Sequence, residues 1–184
     1  MRFPPNPKFS KSQIDRAGCQ AVSNKPGSDK YAEAIEIINQ WRVAHSYPMH
    51  TFDVTLRRKA LAISKKAIVA RRLKRLPTIL DKIGKRQPGM RLSRMQDIGG
   101  VRAIMNTVSQ VYKLHKLYRQ KGRFPHILKG EHDYISFSKS SGYRGIHLVY
   151  EFYNSQGRGQ RARDYDGLLV EVQLRTKQIG RAHV

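Results

Sequence analysis

"LLVEVQLRT", residues 168–176, alternates between apolar and polar residues, and this alternation decides the fold. Successive side chains of a β-strand point to opposite faces of its sheet, so the pattern predicts a strand with two unlike faces. The apolar face consists of Leu168, Val170, Val172 and Leu174. The polar face presents a carboxylate, an amide and a guanidinium, on Glu171, Gln173 and Arg175. We therefore expect a strand that packs against a core on one side and carries functional groups on the other.

A second strand is predicted within GYRGIHLVYEFY, residues 142–153, where the same alternation recurs. Its apolar face holds Ile146, Leu148, Tyr150 and Phe152. Its other face holds Tyr143, Gly145, His147 and Glu151. One side of an antiparallel sheet is ordinarily just solvated. The two polar faces together, however, combine a carboxylate, an amide, a guanidinium, an imidazole and a phenol, which is typical of a binding site, and Gly145 leaves room for a ligand.

The chain before these strands predicts helices. Ser28 is expected to cap a helix that Pro48 ends, and a second amphipathic helix is expected over 52–66. Pro77 is positioned to start a short helix inside the cationic stretch 71–86. The Pro-, Ser- and Lys-rich N-terminus is expected to form a loose arm with little core to bury.

After these helices the apolar period changes to two. The pattern predicts a strand over 97–106, an amphipathic helix over 109–122 that Gly122 ends, and a further strand over 132–138. The last two strands are expected to form a hairpin-like pair across a Gly- and Arg-rich connection. Helices, one crossover helix and a mainly antiparallel run predict a mixed α/β (α+β) fold.

The composition points to a polyanionic partner. Lys and Arg number 36 against 13 Asp and Glu, a formal net charge of +23. Composition alone favours plain nucleic-acid binding through phosphates. The single cysteine, Cys19, excludes an intramolecular disulfide framework. The chain has no stretch near the roughly 18 apolar residues of a membrane span, so we predict a cytoplasmic protein without a membrane partner.

A metal site is predicted from the placement of two acids. Asp97 begins the strand predicted over 97–106, immediately before IGG, and Glu171 lies on the polar face of the last strand. Mg²⁺ takes one or two protein carboxylates and completes its shell with phosphate and water. Taken alone, Asp97 fits a cap or turn residue better. The chain contains neither a Walker-type loop nor a Gly-x-Gly-x-x-Gly motif, so phosphates would be held by side chains.

Four stretches in this order resemble the synthetase domain of the RelA/SpoT family. They are RLKRLPTILDK (72–82), DIGGVRAI (97–104), HDYISFSKSSGYRGIHLVY (132–150) and VEVQLRT (170–176). Each is similar to one family motif, and the order of the four makes chance agreement remote. The chain departs from the family pattern at Thr78 and Gly145, where serine is usual or common, and at Ser138, where proline is usual.

The resemblance implies a nucleotidyltransferase-like mixed β-sheet flanked by helices. It also implies a pyrophosphokinase of the stringent response, which transfers pyrophosphate from ATP to the 3′-hydroxyl of GTP or GDP with Mg²⁺ as cofactor. The products would be the alarmones pppGpp and ppGpp. The sequence leaves the oligomeric state open, a homo-oligomer included.

On the donor side, the resemblance implies that Arg72 and Arg102 sandwich the adenine of ATP. Lys74 and Lys82 would hold the ATP phosphates. Asp97 would bind the metal together with Glu171.

On the acceptor side, the resemblance implies that Glu171 also takes the proton of the 3′-hydroxyl. Tyr143 would stack on guanine, and Lys139 and His147 would contact the acceptor phosphates. Gln173 and Arg175 would support the site.

Two other functions stay open at this stage. Some small relatives are toxins that place pyrophosphate on the 3′ end of tRNA, and the basic surface would suit tRNA or another RNA. A non-catalytic RNA-binding module is the third interpretation, but such a module has no need of both Asp97 and Glu171.

The expected organisation has four parts. A flexible basic arm over 1–28 precedes N-terminal helices over 29–70, and a synthetase domain over 71–178 lacks the closing helices of small relatives. Residues 179–184 are predicted to be a non-native tail, because IGRAHV can be encoded as ATC GGA AGA GCA CAC GTC, a widely used sequencing adapter.

Overall fold

A five-stranded mixed sheet forms the centre of the computed structural model, which describes residues 3–120, 124–137, 143–154 and 160–177. The strands are β1 (Ile68–Leu73), β2 (Gly99–Met105), β3 (Ile127–Asp133), β4 (Ile146–Glu151) and β5 (Leu169–Thr176). Their spatial order is β1-β2-β5-β4-β3. β2 and β5 run parallel, and the other neighbouring pairs are antiparallel. The predicted mixed sheet flanked by helices is therefore confirmed.

Helices precede the sheet and connect its strands. They are α1 (Lys11–Ser23), α2 (Asp29–Ala44), α3 (Ser46–Ile63), α4 (Leu76–Asp81), α5 (Val108–Arg119) and α6 (Gln160–Arg163). A π-helical turn, Lys82–Arg86, continues α4, and a single 3-10 turn covers Leu92–Arg94. Among the described residues, no helix has both the length and the apolar character needed to cross a bilayer.

One face of the sheet is buried beneath α3 and α5. The predicted apolar faces of β4 and β5 lie in this core, where Leu148, Val172 and Leu174 have no exposed surface. α3 contributes Phe52, Leu56 and Ala60, which recur every four residues and so lie on one side of the helix. Burial of each large apolar side chain contributes about 1.5–3 kcal/mol. The packing of this face therefore fixes the strands that carry the polar groups of the opposite face.

The N-terminal prediction of a loose arm is wrong for residues 11–23, which form α1. Ser10 and Gln13 make a capping box, in which the side-chain oxygen of each residue accepts a hydrogen bond from the backbone amide of the other. The apolar residues at spacings of three and four, Ile14, Ala17 and Ala21, are buried in the core. The polar composition of the segment hid this narrow apolar stripe, and the small side chains let α1 pack closely on its neighbours.

The sequence-based bounds also miss one strand and displace another. β1 falls where helices and a cationic connection were predicted, because Arg71 and Arg72 mask an edge strand whose outer surface faces solvent. β3 ends at Asp133, although the prediction was a strand over 132–138. The Asp133 carboxylate accepts hydrogen bonds from the amides of Ile135 and Ser136, and these bonds turn the chain out of the strand.

Most other predicted elements are confirmed. Ser28 caps α2, Pro77 lies in the first turn of α4, and β4 and β5 form an antiparallel pair. Pro48 does not end α2 but lies in the first turn of α3, where its missing amide donor costs no helical hydrogen bond. Gly122 and the tail 179–184 lie outside the described residues.

Candidate active site

A cleft of about 530 Å³ lies on the polar face, above β1, β2 and β5. Its lining includes Arg71, Arg72, Lys74, Thr78, Asp97, Arg102, Glu171 and Gln173. The strand register explains the grouping, because Gly100 of β2 lies between Arg72 of β1 and Glu171 of β5. The cleft therefore collects groups from three strands around a floor that lacks a side chain.

Asp97 anchors one end of the cleft through two lysines. Its carboxylate accepts from Lys74 Nζ at 2.7 Å and from Lys82 Nζ at 3.1 Å. Lys74 is held next to Asp97 because the Lys74 backbone amide donates to the carbonyl of Ile98 at 2.8 Å. Lys82 approaches the same carboxylate from the π-helical turn. Burial acts to raise the pKa of Asp97, but the hydrogen bond and charge of Lys74, with those of Lys82, outweigh it and lower the pKa. Asp97 is therefore ionised at neutral pH.

Glu171 is held by an imidazole and an amide. His147 Nδ1 lies 2.8 Å from Glu171 Oε1, and Gln173 Nε2 donates to Oε2 at 2.6 Å. Burial acts to raise the pKa of Glu171, but the hydrogen bonds from His147 and from the amide of Gln173 lower it below its usual value. Since the ionised carboxylate only accepts, Nδ1 of His147 is the donor in this pair.

Tyr143, which precedes β4 in the chain, extends this row of contacts. Its hydroxyl lies 2.7 Å from His147 Nε2. Burial raises the pKa of the Tyr143 phenol, against the charges of Arg175 and Arg102, so the hydroxyl keeps its proton and donates to the imidazole. Phenol, imidazole and carboxylate thus form one hydrogen-bonded row along the polar face.

Gln173 connects Arg102 with Glu171 by hydrogen bonds. Its Oε1 accepts from Arg102 Nε at 2.9 Å and from Nη2 at 2.7 Å, while its amide donates to Glu171. Burial lowers the pKa of Arg102, and the nearby charge of Arg175 acts in the same direction. In the described part of the chain, the buried Nε of Arg175 has no hydrogen-bond partner. The site thus holds two guanidinium groups whose charges act on each other.

The structure brings most of the predicted site residues together. Six of them line the cleft, namely Arg72, Lys74, Asp97, Arg102, Glu171 and Gln173. Lys82 reaches it through Asp97, and His147 and Tyr143 reach it through Glu171. Arg175 follows on the same face of β5. Lys139 lies outside the described residues.

Some residues of the site were not predicted from the sequence. Arg71 and Thr78 line the cleft, and the Tyr134 ring meets the His147 ring edge-on, with centroids 5.3 Å apart. Tyr134 lies in the turn after β3, where alternation carries no information. Its only signal was its place in the HDYI stretch of the third motif.

The two carboxylates fit the donor set of a hard divalent cation. They line one cleft, and the charge of Asp97 acts to raise the pKa of Glu171. Among the described residues, no group of three or more His, Cys, Asp and Glu side chains is placed to hold a metal ion. A metal here would therefore depend on two protein carboxylates and on ligand oxygens, the arrangement that Mg²⁺ uses beside phosphates.

Comparison with known proteins identifies the family. A profile described as the region found in RelA / SpoT proteins matches residues 71–183, and the chain belongs to this family. It is 30% identical over 109 residues to the GTP pyrophosphokinase YjbM of Bacillus subtilis, a match that covers 59% of this chain and 48% of YjbM. The chain thus spans about half the length of that relative.

Solved structures share the fold. The crystal structure of the small alarmone synthetase 1 from Bacillus subtilis superposes with a TM-score of 0.62 at 26% identity, over 78% of this chain and 73% of that one. The same synthetase bound to its product pppGpp gives a TM-score of 0.63 at 24% identity, over 78% and 74%. The second match supports the fold alone.

Proposed function

We propose that this chain transfers a pyrophosphoryl group from ATP to the 3′-hydroxyl of GTP or GDP, forming pppGpp or ppGpp. The observation that carries the proposal is the pairing of two carboxylates in one cationic cleft, one held by lysines and the other by an imidazole and an amide. YjbM is named a GTP pyrophosphokinase, and the solved structure that is 26% identical to this chain is named a small alarmone synthetase; both names support the same reaction.

On the donor side, Arg72 and Arg102 hold the adenine from neighbouring strands. Both line the cleft, and Arg is suited to stacking on a planar base. Lys74 and Lys82 already point at one anion, Asp97, and the ATP phosphates compete for the same ammonium groups. This arrangement fixes the lysines before substrate binds, so little side-chain freedom is lost on binding.

On the acceptor side, Glu171 accepts the proton of the 3′-hydroxyl. The 3′-oxygen forms a bond to the β-phosphorus of ATP while the bond from that phosphorus to the oxygen bridging to the α-phosphate breaks, and AMP leaves. The lowered pKa keeps Glu171 ionised at neutral pH, and His147 and Gln173 fix its orientation. His147, Tyr143, Lys139 and Arg175 contact the acceptor nucleotide, and Gln173 ties them to the donor side.

Asp97 and Glu171 would hold Mg²⁺. When bound, the ion neutralises phosphate charge, which is the main requirement of phosphoryl-type transfer. The Lys and Arg side chains of the cleft would neutralise phosphate charge as well.

The direct test is to incubate the full chain with Mg²⁺, ATP labelled at the β-phosphate, and GDP or GTP. We expect label in a product that comigrates with ppGpp or pppGpp, together with unlabelled AMP. Omission of Mg²⁺ should abolish the product. Formation of labelled ADP or phosphate without a labelled guanosine product would contradict the proposal.

A second candidate acceptor is the 3′ end of an RNA, tRNA above all. Residues 54–96 contain fourteen Lys and Arg but one acid, Asp81. Exposed members of this set, among them Arg71 and Arg72 on the edge strand β1, adjoin the cleft. Such a surface suits a phosphate backbone. Label on nuclease-sensitive RNA, with little on GDP or GTP, would select this acceptor, and RNA binding without any transfer would identify a non-catalytic module.

A further inference from the structure

The ring of Tyr143 lies against Gly145 on the polar face of β4. A Cβ at Gly145 would lie 3.0 Å from the Tyr143 hydroxyl oxygen and 3.4 Å from Cζ of the same ring. Contacts this close are rare for real Cβ atoms, so a side chain at position 145 would push the hydroxyl by a few tenths of an ångström. With no side chain at position 145, the hydroxyl lies 2.7 Å from His147 Nε2.

Both nitrogens of His147 are therefore engaged within the protein. Nδ1 donates to Glu171 and Nε2 accepts from Tyr143. An imidazole has no third hydrogen-bonding atom. If His147 contacts the acceptor nucleotide, as the proposed function requires, the atom available for it is Nε2, and the Tyr143 hydroxyl must first leave.

We propose that Gly145 is a positioning residue that permits a closed arrangement of the acceptor side, in which the Tyr143 hydroxyl occupies His147 and an incoming acceptor displaces it. This inference depends on the proposed function, and it identifies what sets the affinity of the site for the acceptor nucleotide. A site that is competent in only a fraction of molecules binds its ligand more weakly by that fraction. Gly145 and Tyr143 thus set the acceptor KM rather than the chemical step.

The surroundings fix which group yields when the space is filled. The other close neighbour of the missing Cβ is the carbonyl oxygen of Leu174, at 3.2 Å, and it belongs to the backbone of the central strand β5. The strand is held on both sides by its ladders, whereas the tyrosine can rotate about its side-chain bonds. A methyl group at position 145 therefore displaces the phenol, and strains its hydrogen bond with His147, before it displaces the sheet.

Tyr134 borders the closed arrangement. Its ring lies edge-on to Tyr143 and to His147, with centroid distances of 6.1 Å and 5.3 Å. The three rings form one aromatic cluster that holds the phenol in place while its ring remains part of the acceptor side. Removal of the hydroxyl alone therefore opens the contact with His147 and keeps the ring for stacking on a base.

The test compares Tyr143→Phe and Gly145→Ala with the wild-type chain in steady-state assays. For both variants we expect the acceptor KM and the equilibrium Kd for GDP to fall about two- to tenfold, the scale of one exchanged hydrogen bond. The KM for ATP should stay within about twofold. Ordinary structural damage predicts the opposite, a higher acceptor KM with lower kcat and a lower thermal midpoint.

Gly130→Ala is the matched control, because a Cβ at this β3 glycine would lie 3.8 Å from Val149 Cβ, in ordinary contact and away from the phenol. It should leave the acceptor KM unchanged. If Gly145→Ala fails to fold, Tyr143→Phe decides. An unchanged or raised GDP Kd in Tyr143→Phe overturns the inference while the transfer activity of the wild type stands. A wild-type chain that neither binds nor modifies GDP or GTP instead overturns the proposed function, and the inference with it.

Discussion

Asp97 and Glu171 are both partly buried carboxylates in one cleft, yet the chain surrounds them differently. Asp97 accepts from two ammonium groups, those of Lys74 and Lys82. Glu171 accepts from the imidazole of His147 and the uncharged amide of Gln173. Both have a lowered pKa although burial acts in the opposite direction.

The difference teaches how one cleft can separate two tasks. At Asp97 the positive charge exceeds the negative, so this end of the cleft attracts phosphate. At Glu171 the hydrogen bonds fix the carboxylate without an equal excess of positive charge, so its negative charge remains available to a cation. The comparison predicts that removal of the two carboxylates will have unequal consequences.

The largest effect is expected from Glu171→Gln. The amide keeps the size of the side chain and an oxygen for His147, but it can neither take the 3′-hydroxyl proton nor supply negative charge. We expect kcat to fall by roughly two to four orders of magnitude, the scale for loss of a central electrostatic or acid–base group. Initial rates of labelled product formation measure it.

Glu151→Gln is the control for this change. Glu151 lies on the same face of the sheet as Glu171, but it pairs with Lys129 at 3.4 Å, away from the cleft. Its rate should stay within about twofold of wild type, as expected for an exposed ion pair. Equal loss in both variants, or full activity in Glu171→Gln, would remove Glu171 from the chemistry.

A smaller effect is expected from Asp97→Asn. The two lysines lose their shared anion but remain available to phosphate, so part of the lost charge balance is restored when ATP binds. We expect kcat to fall about ten- to a thousandfold, with the ATP KM changed more than the acceptor KM. Separate titrations of ATP and of the acceptor check this split.

Asp81→Asn is the matched control, since Asp81 pairs with Arg86 at 2.6 Å on a half-exposed surface next to the same segment. A change in acceptor KM alone after Asp97→Asn would contradict the assignment of Asp97 to the donor side.

The smallest effect concerns stability and its dependence on pH. Because both carboxylates have a folded-state pKa below the unfolded value of about 4, the unfolded chain takes up protons first as pH falls. The stabilisation is complete above about pH 5 and is lost as pH falls through the folded-state values. The free energy of unfolding of Asp97→Asn and of Glu171→Gln should therefore depend less on pH below 5 than that of wild type.

Urea unfolding at pH 6 and at pH 3.5 measures this difference. His45 and His126 each have a pKa lowered to about 4, chiefly by burial. Their protonation therefore lowers the free energy of unfolding as pH falls below about 6.5. Both are present in wild type and variants, so their contribution cancels in the comparison. A pH slope equal to that of wild type in both variants would show that neither pKa shift contributes to stability.

Much of the fold was predictable, because its signals are local. The alternation in β4 and β5 predicted both faces correctly, and every predicted apolar residue of these strands is buried. The amphipathic helix expected over 52–66 has one apolar side in the structure, where Leu56 and Ala60 are buried. α1 and β1 were missed because a narrow stripe of small residues and a pair of arginines both resemble solvated segments.

The residues themselves determined the chemistry of the site, and tertiary structure determined its pairings. Sequence alternation put Glu171, Gln173 and Arg175 on one face, and the four motifs indicated the family. The pairing of Asp97 with Lys74 and Lys82, of Glu171 with His147, and of Tyr143 with the space above Gly145 depends on strand register and side-chain approach. The physical reason is range: alternation follows from the backbone of a single strand, whereas these contacts join side chains that only the packed sheet brings within hydrogen-bond distance.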